Sequence, residues 1–142
     1  MTTSPFEIFG VAVALMEARP NDQAAWRSVI SRCYYSVYHL VGVQICPSDY
    51  TKPPQSHLFV KQTLQSLPPA TAEQWILMAK RWLPTLKTAR EDADYDLAKP
   101  YARQNAEDAL QQALAVFVAF DPSLSAAEHP VTRATGSPRR KK

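Results

Sequence analysis

Residues 23–44 read QAAWRSVISRCYYSVYHLVGVQ, and the fold turns on how this stretch is wound. It holds no proline, and its one glycine is Gly42, so a single long helix can run through it. Placing Arg32 at zero and advancing about 100° per residue sends Trp26, Val29, Ile30, Cys33, Val37, Leu40 and Val41 into one sector between about 60° and 180°. That sector is a continuous apolar stripe, the face that a helix buries in a core. Ser28, Arg32, Tyr35, Ser36 and His39 fall within about 60° of zero and form a polar stripe on the other side. Arg32 and His39 stand only about 20° apart on the wheel and two turns apart along the axis, about 10 Å. An arginine and a histidine on one open stripe raise a question of chemistry as well as of packing.

The rest of the chain is punctuated in the same way. Residues 5–19, PFEIFGVAVALMEAR, read as a first, buried or amphipathic helix, and Pro20-Asn21-Asp22 as a stop followed by a cap. Residues 47–55 contain three prolines and read as a loop. A shorter helix is expected over 56–67, ended by Pro68-Pro69. Thr71 with Gln74 has the spacing of a capping box and opens a helix expected over 72–97, which Pro84 either kinks or divides. Pro100 is expected in the first turn of a last helix over 101–120, where Ala106, Ala109, Leu110, Ala113, Leu114, Phe117 and Phe120 keep three-four spacing. Nearly half the residues are apolar and only three of 142 are glycine, which favours long helices over tight β-turns. The expectation is therefore all-α: an up-down bundle of four to five helices over 1–120, with a tail over 121–142.

Charge divides at the same boundary. Residues 1–120 carry eleven Lys/Arg against eleven Asp/Glu, so the net charge of +3 sits in the tail, which ends SPRRKK. The tail has the composition of a disordered segment, and a solubilising role is preferred for it over a loose contact with nucleic acid. A neutral bundle does not carry a broad basic face, so any RNA site must be local or built by pairing two chains. No run approaches the about 18 consecutive apolar residues that a membrane span needs, and MTTSPFEIFG lacks the basic start of a signal peptide. Cys33 and Cys46 lie about 20 Å apart along one helix and cannot bridge within it, so the chain reads as reduced and cytoplasmic.

The polar stripe suits phosphodiester cleavage. Arg32 keeps its charge and offers a fork of donors to a phosphate, and His39 can take or give a proton near neutral pH. RNA brings its own nucleophile, the 2′-hydroxyl. Tyr35 could stack on a base or bond a phosphate, and Ser28 and Ser36 share the stripe as further RNA contacts. From spacing alone, a solvated face or a helix–helix hydrogen bond is the preferred reading of Arg32 and His39.

A second group lies in TAREDADYDL, residues 88–97. Arg90 and Asp94 form an i,i+4 pair on the inward side of their helix, beside Tyr95, and a buried arginine needs such a partner. The plainer reading, a salt bridge that positions helices, is preferred to catalysis, with support of the active face as its functional role. His57 could cap its helix or line a cleft, with capping or exposure preferred, and His129 reads as an inert tail residue. The sequence shows no zinc-spaced Cys/His cluster, no phosphate-binding glycine loop and no nucleophile elbow, so no metal or other cofactor is expected.

Taken together, SRCYYSVYHL and REDADYDL resemble two segments of the HEPN family of small prokaryotic helical-bundle proteins: its Ser-Arg-x-Tyr-Tyr-x-x-(aromatic)-His segment and its Arg-x-x-Ala-Asp-Tyr segment. Their order and separation agree with that family over about residues 5–120. Cys33 stands where many nuclease members carry a polar residue. The resemblance implies a homodimer in which Arg32 and His39, with six residues between them, match the ribonuclease motif, and two copies form one composite RNA-cleaving site. It also implies a toxin or defence role beside a minimal nucleotidyltransferase antitoxin. The alternative is a non-catalytic helical module that docks a nucleotidyltransferase or a nucleotide, and a third reading is a purely structural helical dimer.

Overall fold

The computed structural model describes residues 3–69 and 73–124. The expected capping box at Thr71, His129 and all of the tail beyond Leu124 lie outside these residues. Five helices pack together, α1 (Pro5–Ala18), α2 (Gln23–Ile45), α3 (Ser56–Ser66), α4 (Gln74–Tyr95) and α5 (Arg103–Phe120), and no strand occurs among the described residues. The chain is an all-α bundle, as its periodicity predicts.

Local chemistry fixes the helix starts. Ser4 caps α1 in a reciprocal box: its hydroxyl accepts from Glu7 N–H at 3.1 Å, and the Glu7 carboxylate accepts from Ser4 N–H at 2.7 Å. Asp22 caps α2 by accepting from Ala24 N–H at 2.9 Å and Ala25 N–H at 3.4 Å. Only residues 19–22 join α1 to α2, so α2 folds straight back along α1. Pro84 lies inside α4 and does not divide it; one 22-residue helix runs through. The last helix starts later than expected. Pro100 precedes Ala102, the N-cap of α5, and so stands outside the first turn. Tyr101 is the cause. Its buried ring is anchored by an N–H donated to Gln23 Oε1 at 3.3 Å and a hydroxyl donated to Ala89 O at 3.3 Å, which holds residue 101 out of the helix.

α2 is the central helix, packed against α1, α4 and α5 and, over a smaller area, α3. Val29, Ile30, Cys33, Val37 and Val41, all on the expected apolar stripe, are fully buried. They meet Phe9 and Met16 from α1, Leu64 from α3, Leu86 from α4 and Leu110 from α5. Each such side chain contributes about 1.5–3 kcal/mol when withdrawn from water. Ala106, Ala109 and Ala113 keep one face of α5 small and lie wholly inside the core.

Arg27 ties α2 to the far end of α4. Its guanidinium donates to Ala93 O at 2.9 Å, Asp92 O at 3.4 Å, Asp96 O at 3.2 Å and Lys99 O at 2.5 Å, and lies 4.6 Å from the centre of the Tyr101 ring. A cation thus satisfies the carbonyls that a helix C-terminus leaves open. Among the described residues, no helix is long and apolar enough to cross a membrane.

Candidate functional site

The polar stripe of α2 emerges where α3 and the second half of α4 leave it uncovered. Ser28 and Arg32 are exposed, and Ser31, Tyr35 and His39 are half-buried. Arg32 makes no hydrogen bond or ion pair among the described residues, so its fork of donors is open to solvent. Seven residues on, along an unbroken helix, His39 has its Nδ1 2.5 Å from Tyr50 Oη, a residue of the connection between α2 and α3. That bond fixes the ring and leaves Nε2 as the end free to react. Burial holds the His39 pKa below its ordinary value, so the neutral ring predominates at pH 7 and the charged form gains as pH falls.

Ser36 departs from its expected role. It is 0% exposed and donates its hydroxyl to Cys33 O at 2.8 Å, within α2. The wheel places it near Arg32, but α2 is flanked by four helices, and the buried sector is wider than the apolar stripe. Ser36 therefore does not reach the surface on which an RNA contact was expected of it.

Gly42 explains how Tyr50 comes so close. A Cβ at position 42 would stand 2.5–2.6 Å from three carbons of the Tyr50 ring, well inside any real contact. The missing side chain is the slot into which Tyr50 settles. Neither Gly42 nor Tyr50 stands out in the sequence, because the contact joins a loop to a helix and leaves no periodic trace.

Arg90 and Asp94 sit beside this face. Arg90 is only 8% exposed, with its guanidinium 3.6 Å from the Asp94 carboxylate. It donates to Tyr35 Oη at 3.4 Å and lies 5.4–5.6 Å from the centres of the Tyr34, Tyr35 and Tyr95 rings. Ser31 donates to the same Asp94 carboxylate at 3.3 Å and so links α2 to α4. Tyr95 covers Arg90 from outside and is itself 76% exposed. The second sequence motif is thereby packed against the first, with Tyr35 at the junction.

His57 takes the cleft-lining place and not the capping or exposed one preferred for it. It neither caps α3, which has no side-chain cap, nor stands free. Its Nδ1 lies 2.5 Å from Tyr34 Oη, and its ring stacks on Tyr38 at 4.5 Å and on Tyr34 at 5.6 Å. His39 meets the same Tyr38 ring edge-on at 5.1 Å. Burial lowers the His57 pKa first, and Arg90, Lys87 and His39 lower it further against the opposing charge of Glu91. Burial pushes the Tyr34 phenol well above its usual range, so it stays a neutral partner. The signal available in the sequence was weak: a tyrosine-rich helix seeks polar partners for its buried hydroxyls, and a histidine is one of the few that can serve.

A small pocket between α3 and α4 opens on His57 and is bordered by Lys61, Lys80 and Lys87. A larger cleft of about 470 Å³ lies elsewhere, between α4 and α5, and holds Asp92 and Asp108. Those carboxylates make it a poor seat for a phosphate. Among the described residues, no three His, Cys, Asp or Glu side chains come together as a metal-binding group. No family model matches the chain, and neither does any characterised protein or solved structure compared with it.

Proposed function

We propose that this chain is an endoribonuclease of the HEPN type that works without a metal ion, as a homodimer with Arg32 and His39 at a composite site. One observation carries the reading: an unpaired, exposed Arg32 shares an open helical face with a His39 whose Nδ1 is already fixed by Tyr50. Arg32 would hold the scissile phosphate and stabilise its growing charge. His39 would exchange a proton with the 2′-oxygen or the leaving oxygen. Tyr35 and Ser28 border the same face and would contact the RNA, while Arg90, Asp94 and Tyr95 brace it. The two-motif resemblance supports the same reading, along with a toxin or defence role and a minimal nucleotidyltransferase antitoxin. Pairing two copies would bring two Arg32 side chains to one place on a bundle with no net charge of its own.

The test is cleavage of a mixed RNA pool by wild type, Arg32→Ala and His39→Ala in the presence of EDTA, with the mass of the assembly measured alongside. Cleavage by wild type alone, from a dimer, is the expected result. Equal cleavage by all three, or by none, removes the enzymatic reading.

The docking-module alternative rests on a different observation. Tyr95 and Leu97 are 76% and 77% exposed at the end of α4, beside the same face. A stable complex with a nucleotidyltransferase, combined with no RNA cleavage, would favour it.

A further inference from the structure

Cleavage of RNA by its own 2′-hydroxyl needs two proton transfers. A base removes the proton from the attacking oxygen, and an acid supplies one to the departing 5′-oxygen. Arg32 can do neither, because its guanidinium does not release a proton. His39 can serve one transfer. Within one chain the Arg32/His39 pair therefore serves only one of the two transfers; the other falls to the His39 of a second copy or to another imidazole of the same chain, and the structure holds one built like the first.

We propose that His57 is the second proton-transfer group of this site, taking the 2′-hydroxyl proton while His39 protonates the departing 5′-oxygen. The inference rests on the ribonuclease reading above. Both imidazoles are anchored in the same way, by Nδ1 on a phenol oxygen at 2.5 Å, His57 on Tyr34 and His39 on Tyr50. Both pack on the one Tyr38 ring, at 4.5 and 5.1 Å between centres, and both touch Tyr35, at 5.8 and 6.2 Å. Neither Nε2 has a protein partner among the described residues. With Nδ1–H donating to the phenol oxygen, Nε2 can gain or lose a proton while the anchoring bond persists. The pocket that opens on His57 is bordered by Lys61, Lys80 and Lys87; Lys80 donates to Leu67 O and Lys87 is paired with Glu91, which leaves Lys61 as the lysine of the three without a partner among the described residues.

The step balances without a co-reactant. The 2′-oxygen bonds to phosphorus, the bond from phosphorus to the 5′-oxygen breaks, neutral His57 gains one proton at Nε2, and His39, which enters the step as the imidazolium, gives one up from Nε2. The products are a 2′,3′-cyclic phosphate and a 5′-hydroxyl. His57 faces Arg90, Lys87 and Glu91 from α4, Tyr34, Tyr35, Tyr38 and His39 from α2, and Lys61 from its own helix; His39 faces Tyr50, Tyr35 and Tyr38. The cations around His57 favour its neutral form, which is the form a base needs.

The experiment is the pH profile of cleavage of a short RNA by wild type, His57→Gln, Tyr34→Phe and His39→Gln, with melting temperature as the check on folding. A bell is expected for wild type. His57→Gln should lose about 10²–10⁴-fold in kcat together with the limb that rises at acid pH. His39→Gln should lose the limb that falls at alkaline pH, and Tyr34→Phe should lower kcat and displace the acid limb. A His57→Gln enzyme that keeps both limbs, whether at full rate or uniformly slowed, overturns the proposal and leaves the ribonuclease reading standing. A wild type that does not cleave RNA overturns both. Should His57→Gln not fold, the His57 ring signal of wild type is followed by NMR as a 2′-O-methyl RNA is added. A shift in its titration is expected, and an unmoved titration overturns the proposal.

Discussion

Replacing Gly42 by alanine separates the stability of the bundle from the setting of His39. The new Cβ would stand 2.5–2.6 Å from the Tyr50 ring, whereas ordinary contact begins near 3.4 Å, so ring or helix must retreat. The ring yields first, because Tyr50 hangs on the proline-rich connection while α2 is held by four other helices. Its retreat gives up the His39–Tyr50 hydrogen bond, about 1 kcal/mol net. It also gives up edge contacts with Tyr38 at 5.5 Å and His39 at 5.6 Å, together about 1 kcal/mol or somewhat more. Against this, alanine inside a helix is favoured over glycine by about 1 kcal/mol. The sum is a loss of only about 1 kcal/mol, a few degrees in melting temperature. His39 should change more visibly. Burial is what lowers its pKa, so with Tyr50 displaced the pKa climbs back toward 6.5. The assay is NMR titration of the His39 ring in wild type, Gly42→Ala and Tyr50→Phe, paired with thermal unfolding. An unchanged His39 titration in Gly42→Ala would show that the ring need not move. A loss beyond about 3 kcal/mol would show that the helix moved instead, and either result refutes the reasoning.

Acid should weaken the bundle through its two imidazoles. His39 and His57 both have folded pKa values below the 6.5 of the unfolded chain, so below that pH the unfolded state binds more protons. The stability they allow is fully present above pH 6.5 and is lost as pH falls; melting temperature from pH 7 to pH 5 should drop in wild type and drop less in a His39→Gln/His57→Gln double variant. Arg90→Ala should cost about 1–3 kcal/mol in denaturant unfolding, through lost ring contacts and packing, since Asp94 stays partly solvated and is not stranded in the core. Ser36→Ala should leave RNA affinity unchanged and stability within about 0.5 kcal/mol, because its hydroxyl serves only a local bond to Cys33 O. A thiol reagent at pH 8 should modify native Cys46 slowly and Cys33 not at all, and both after unfolding, as mass spectrometry would show; burial pushes both thiols up, and Cys33 is fully enclosed.

The helices were legible because their signals are local. The Asp22 cap, the Pro20 stop and the three-four spacing of α5 each lie within a few residues of what they specify. The Arg90–Asp94 pair was legible for the same reason, one turn of helix apart. What escaped depends on partners distant in sequence. His57 finds Tyr34 from 23 positions away, and nothing in SHLFVKQTL announces it. Tyr50 reaches His39 only because Gly42 lacks a side chain, a fact about space and not about pattern. Ser36 was misread because a wheel assumes one buried side, and a helix at the centre of a bundle has more than one. Tyr101 delayed the start of α5 by engaging Gln23 and Ala89, two contacts that no propensity scale contains.

Arg27 has a consequence for how this chain could vary. By grasping Asp92, Ala93, Asp96 and Lys99 through their carbonyls, it fixes the axial position of α4 on α2 by main-chain atoms, whatever side chains those four positions carry. The two sequence motifs are indexed to each other by that grip, together with the Ser31–Asp94 and Arg90–Tyr35 bonds, and not by the chain between them. Insertions or deletions around residues 67–73 can therefore accumulate without sliding Arg90 past Tyr35, whereas trading Arg27 for lysine, a single point of charge in place of a fork, would let the two helices drift.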